Sequence, residues 1–296
     1  MKIREIQENR AWGFAATAAL FALAVTPAEL AAQTAPESVP SITYADAADL
    51  GDAAALVVKA RIRKQSTLPV ERSPGVRPGW VRQLIEAETE TLISGRVPIG
   101  ESLRYLVDVP LNAKGKPPKL KKQSMLLFAR PVAGRPGELQ LVDVDAQLPA
   151  DPATEALVRR VMVALAANNA PPRVTGIREA LSVPGNLAGE SETQLFLSTS
   201  DGAPVSLSVI RRPGMQPDWG VSWSELVDEA AQPLVRDTLE WYRLACFLPD
   251  TLPPEAILSR DGATRVQASQ DYNFVRQALG ACLRKRGGPP RPVTGL

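Results

Sequence analysis

Five of the chain's nine lysines, Lys114, Lys116, Lys119, Lys121 and Lys122, fall within NAKGKPPKLKK at residues 112–122. Ammonium groups at that density suit one kind of chemistry, the electrostatic capture of an anionic surface. Pro117 and Pro118 exclude a helix through the run and Gly115 favours a turn, so the lysines must fan out from a loop. Two readings stand side by side. One is a contact for an acidic partner; the other is a solvated loop whose lysines guard a strand edge.

Other chemistries are narrowed by what is missing. The chain has no histidine, which removes Ser-His-Asp and Cys-His nucleophile pairs, HExxH metal sites and histidine general bases together. Two cysteines without CxxC spacing supply neither a zinc site nor a dithiol redox centre, and no phosphate-binding glycine loop or Ser-x-x-Lys signature occurs. No cofactor or metal is implied. What remains is carboxylate chemistry. Asp143 and Asp145 would share one face of a strand, and Glu86, Glu88 and Glu90 would line another, as a hard-cation pair or a glycosidase-like acid and base require. Residues on a single strand face make no cleft, so solvated faces are the simpler assignment. Asp46, Asp49 and Asp52 have one-turn spacing and are expected to cap or solvate a barrel entrance. Trp219, Trp223, Trp241 and Tyr242 would offer a sugar-stacking platform or, more economically, core area. Arg211-Arg212 follows a strand, and Arg284-Lys285-Arg286 is placed at a helix C-terminus, where it complements the dipole. The leading reading is a non-catalytic binding or structural protein; the alternative is a carboxylate-based hydrolase acting on glycans.

Where these residues work depends on the N-terminus. Lys2, Arg4 and Arg10 precede an apolar run from Ala11 to Val25 that ends at Pro27 and small residues, the pattern of a secretory signal peptide over residues 1–32. About fifteen apolar residues is short of the roughly 20 that span a bilayer. The expected location is the periplasm or the exterior. There, the pair Cys246 and Cys282 reads as one disulfide, with two buried thiols as the other reading. A formal net charge of +2 does not suggest a nucleic-acid binder, so an acidic partner would be an envelope component or a protein face.

The elements that must position these groups fall in two blocks. After a flexible lead-in at 33–42, residues 43–170 carry strand signals at 56–65, 80–95, 102–111, 124–132 and 138–148, then a helix over 151–169 capped by Asp151. Five short strands with turns predict a small OB-like β-barrel with a flanking helix. Residues 171–286, beyond Pro171-Pro172, predict a three-stranded antiparallel sheet packed with C-terminal helices. Its hairpin turns at Asp201-Gly202, a third strand covers 219–223, and helices cover 232–248 and about 262–286. Ser222 and Glu225 have capping-box spacing, and the 287–296 tail is expected to be disordered. The fold class is α+β.

LRYLVDVPLNAKGKPPKLKKQSMLLFARPV together with EWYRLACFLP resembles a group of exported alphaproteobacterial proteins over most of the mature chain. That resemblance brings no activity and no site residues. The first half is also similar, in strand order alone, to netrin-like OB domains, whose cysteines it lacks.

Overall fold

The computed structural model describes residues 39–223 and 234–286. The expected signal peptide, the Glu225 partner of the Ser222 capping box and the 287–296 tail lie outside the described residues. Among the described residues no helix is long and apolar enough to cross a membrane.

The first element among the described residues is helix α1 (Tyr44–Ala53), ahead of the first expected strand and in a block whose signals are mostly those of strands. Thr43 caps it: its hydroxyl accepts from the Asp46 N–H at 3.1 Å, and the Asp46 carboxylate accepts from the Thr43 N–H at 2.9 Å. The alanines and glycine of α1 let it approach a second helix closely. A Cβ built on Gly51 would lie 2.8 Å from Leu165 Cδ1 of that helix.

Strands β1 (Leu56–Thr67), β2 (Trp80–Gly95), β3 (Ser102–Pro110), β4 (Ser124–Pro131) and β5 (Glu138–Leu141) close a five-stranded barrel in the order β1-β2-β3-β5-β4 and back to β1. β3 and β5 run parallel, and the other neighbours are antiparallel. Leu103, Tyr105, Val107 and Val109 face the interior as their period of two requires. The strand expected over 138–148 is broken: the Asp143 carboxylate takes the Val144 N–H at 2.8 Å, its carbonyl takes the Ala146 N–H at 3.0 Å, and a separate β6 (Gln147–Pro149) pairs with β4. Helix α2 (Pro152–Ala166) follows, capped by Asp151 through the Thr154 N–H at 2.9 Å.

The second sheet has four strands rather than three, in the order β10 (Asp218–Ser222), β9 (Val205–Arg211), β8 (Ser191–Thr199), β7 (Val174–Pro184). β7 escapes a pattern search because register shifts after Val174 and Ile177 interrupt its alternation, and Arg178 and Glu179 fall side by side. Of the helix expected over 232–248, residues 232–233 lie outside the described residues, and within 234–248 helix α3 covers only Leu239–Ala245. Thr238 caps it through the Trp241 N–H at 3.3 Å, and Asp237 before the cap has φ 58°, which no continuous helix passes. Helix α4 (Gly262–Leu279) stops seven residues before the expected end, because Gly280 takes φ 70° and closes it. α4 lies on the sheet: its Asp271, fully buried, accepts from Thr193 of β8, Arg211 of β9 and Gln267. One continuous apolar core runs from Ile42 through both sheets to Leu279.

Candidate functional site

The lysine loop joins β3 to β4 and stands at the barrel end that also carries the β1–β2 connection, since the Leu111 N–H bonds Gly79 O at 2.8 Å. All five lysines are exposed. Their backbone is nevertheless held at both ends. Asn112 Oδ1 accepts the N–H groups of Lys114 at 2.9 Å and Lys116 at 3.1 Å, and Gly115 turns the chain with φ 68°. Gln65 of β1 reaches out and clasps the second half of the loop: its Oε1 accepts from Leu120 N–H at 2.6 Å and its Nε2 donates to Pro118 O at 3.0 Å. Leu120 is buried, the Lys122 N–H bonds Ile62 O at 2.8 Å, and Lys122 itself holds φ 72°, a strained value for a side-chain-bearing residue. None of the five ammonium groups pairs with an acid among the described residues. Asn112, two residues before Lys114, is a legible Asx-turn signal; the role of Gln65, more than fifty residues away, has no signal in the sequence.

The carboxylates are occupied elsewhere. Glu88 pairs with Arg63, Glu86 with Lys64 at 3.4 Å, and Glu90 with Ser124 at 2.9 Å, forming a cross-strand ladder on the outside of the barrel. The hydrogen bond from Arg63 holds the Glu88 carboxyl below the ordinary carboxylate value, the wrong direction for a general acid. Asp143 and Asp145 sit on a turn, not a strand face, and Asp145 takes Arg77 at 3.1 Å and Arg286. Among the described residues no group of three or more metal-ligating side chains converges.

Asp46, Asp49 and Asp52 do not solvate a barrel entrance. Three apart, they share one face of α1 and receive the second half of the chain. Asp52 takes Arg243 of α3 and Arg173 at 3.2 Å. Asp49 takes the Tyr242 hydroxyl at 2.7 Å and Arg284 at 2.6 Å. Asp46 takes the backbone N–H groups of Lys285 at 2.9 Å and Arg286 at 3.1 Å. Arg284-Lys285-Arg286 therefore do not complement a helix terminus. They form an extended strap, residues 281–286, that returns across α1, and the Cys246–Cys282 disulfide ties it to the end of α3. Trp219, Trp241 and Tyr242 are core residues with at most 7% exposure, and Trp223 packs partly buried against them, so they make no stacking platform. Arg211 closes on Asp271, while Arg212 remains exposed.

No protein-family model matches the chain, and no curated protein compared with it shows significant similarity.

Proposed function

We propose that the chain is an exported, non-catalytic binding protein whose lysine loop contacts phosphate-bearing lipid surfaces of the cell envelope. The observation that carries this reading is the combination of five unpaired, exposed ammonium groups with a backbone pinned by Asn112 and Gln65. A loop ordered before binding loses less entropy on contact than a free one. The neighbouring acids of the barrel wall are neutralised by Arg63 and Lys64, so they do not cancel the field of the loop. At about 1 kcal/mol per lysine near an anionic membrane, five lysines give roughly 5 kcal/mol, a reversible and salt-sensitive attachment rather than an anchor.

Co-sedimentation with vesicles tests it. Binding to vesicles containing phosphatidylglycerol, absent with phosphatidylcholine alone and weakened by salt, is the expected result, and the five-fold Lys→Gln variant should lose it. A parallel arm with lipopolysaccharide micelles distinguishes the two phosphate sources. Binding that survives neutralisation of all five lysines would overturn the proposal. Export is tested by fractionation and N-terminal sequencing, with Glu29 or Gln33 as the expected first residue.

A further inference from the structure

A cleft of about 330 Å³ opens where the start of α1, the flank of α2, the turn before α3 and the C-terminal strap meet. Ile42, Leu157, Trp241 and Leu283 give it an apolar lining. Arg160, Arg236 and Lys285 place three cations on it against one acid, Asp237. Two of the cations are positioned by the fold. Arg236 stacks over the Trp241 ring at 5.4 Å and donates to Ala281 O at 3.1 Å, and Lys285 Nζ donates to Pro40 O at 3.1 Å. Arg160 has no such partner among the described residues and is exposed beside the cleft.

The residue that marks the cleft as a site is Tyr44. Its hydroxyl is the exception among the four tyrosines: Tyr105 donates to Gln147, Tyr242 to Asp49 and Tyr272 to the Pro249 carbonyl. Tyr44 is only 4% exposed and lines the cleft, yet its hydroxyl has no hydrogen-bond partner among the described residues. The ring is buried but the hydroxyl oxygen opens to the cleft, so it is free to donate to a ligand lying there. Burial first, then the Glu240 charge, pushes this phenol up to about 12, so at neutral pH it is a protonated donor.

We propose that this cleft binds a small amphipathic anion, a medium-chain carboxylate, whose charge is met by Arg160 and the Tyr44 hydroxyl and whose chain lies on Leu157, Trp241 and Leu283. The net positive lining selects an anion, and one unpaired guanidinium with one phenol matches the two oxygens of a carboxylate. A cleft of this volume lies at the lower end of the range that holds small ligands, which suits a short amphipathic one. No residue of the lysine loop lines the cleft, so this site is separate from the surface contact proposed above.

Titration with octanoate, followed by calorimetry and by tryptophan fluorescence, decides it. Saturable one-to-one binding is expected for octanoate and neither for octylamine nor for octyl glucoside. Arg160→Ala should weaken it about tenfold. Tyr44→Phe should weaken it several-fold without lowering the melting temperature, because its hydroxyl bonds nothing in the protein alone. The five-fold lysine variant should bind octanoate normally, whatever its behaviour on vesicles. The proposal is overturned by no saturable binding, by equal binding of the amine or the glucoside, or by affinity unchanged in Arg160→Ala.

Discussion

Asp271 shows how much a single buried charge can organise. It is fully buried on α4, and Arg211, Gln267 and Thr193 each place a donor on its carboxylate, so three elements are registered by one group. Removing it leaves the Arg211 guanidinium, itself mostly covered, without a counter-ion. Asp271→Ala should therefore destabilise the fold by about 3–5 kcal/mol in urea denaturation, the range found when one partner of a buried pair is deleted. Arg212, next in the chain and exposed, is the internal comparison: Arg212→Ala should change stability by less than about 0.5 kcal/mol. Nothing in the sequence separates these two arginines. Which of them meets a carboxylate follows from the strand register, in which Arg211 opposes Ser191 on the face that α4 covers.

At the scale of elements, the strap is the part of the molecule with most consequence for its size. Six residues, 281–286, deliver two backbone N–H groups to Asp46, one guanidinium to Asp49 and another to Asp145. They are tethered by a disulfide that closes 36 residues of chain, worth about 4 kcal/mol on the loop-entropy model. The strap also forms one wall of the cleft through Ala281, Leu283 and Lys285. Replacing both Cys246 and Cys282 by alanine should lower stability by about that amount. It should also expose Arg284, Lys285 and Arg286 to trypsin while the rest of the protein remains resistant; digestion followed by mass spectrometry reads both. Cleavage rates identical to the parent's would show that the aspartates of α1 hold the strap without the disulfide.

At the scale of the molecule, the described residues from Ile42 to Leu279 share one apolar core, and the four tyrosines are spread through it in α1, β3, α3 and α4. Burial is the first cause in each case and pushes every one of these phenols upward, Tyr44 and Tyr272 to about 12. A tyrosine unfolds to a pKa near 10, so the folded state retains its proton where the unfolded state loses it. That stability is fully present below about pH 10 and declines as pH rises through the folded values. Tyrosinate absorbance should accordingly stay flat past pH 10 in the native protein and rise there in urea. Its late appearance should coincide with loss of secondary structure, in one transition for both sheets.

Several parts of this arrangement are local and could be read from the chain alone. The period of two in SLRYLVDVPL, the Asp151-Pro152 helix start and the Asp201-Gly202 hairpin all depend on near neighbours in sequence, and the barrel's five strand signals do too, although its closure pairs β1 with β4 some seventy residues on. The lysine loop belongs with them, because prolines and a glycine exclude regular structure whatever surrounds it. So does the Cys246–Cys282 pairing, which two cysteines leave with a single possible partner. Tertiary structure decided the rest. α1 has small residues and no strong apolar stripe, so its helix is defined by what packs on it, namely α2 through Gly51, the strap through Asp46 and Asp49, and α3 through Asp52. Gly280 was a stop signal in plain view, but where the chain went afterwards depended on acids more than 200 residues away. The unpartnered Tyr44 hydroxyl has no sequence signature at all, since the lack of a partner is a property of the assembled surroundings and not of the residue.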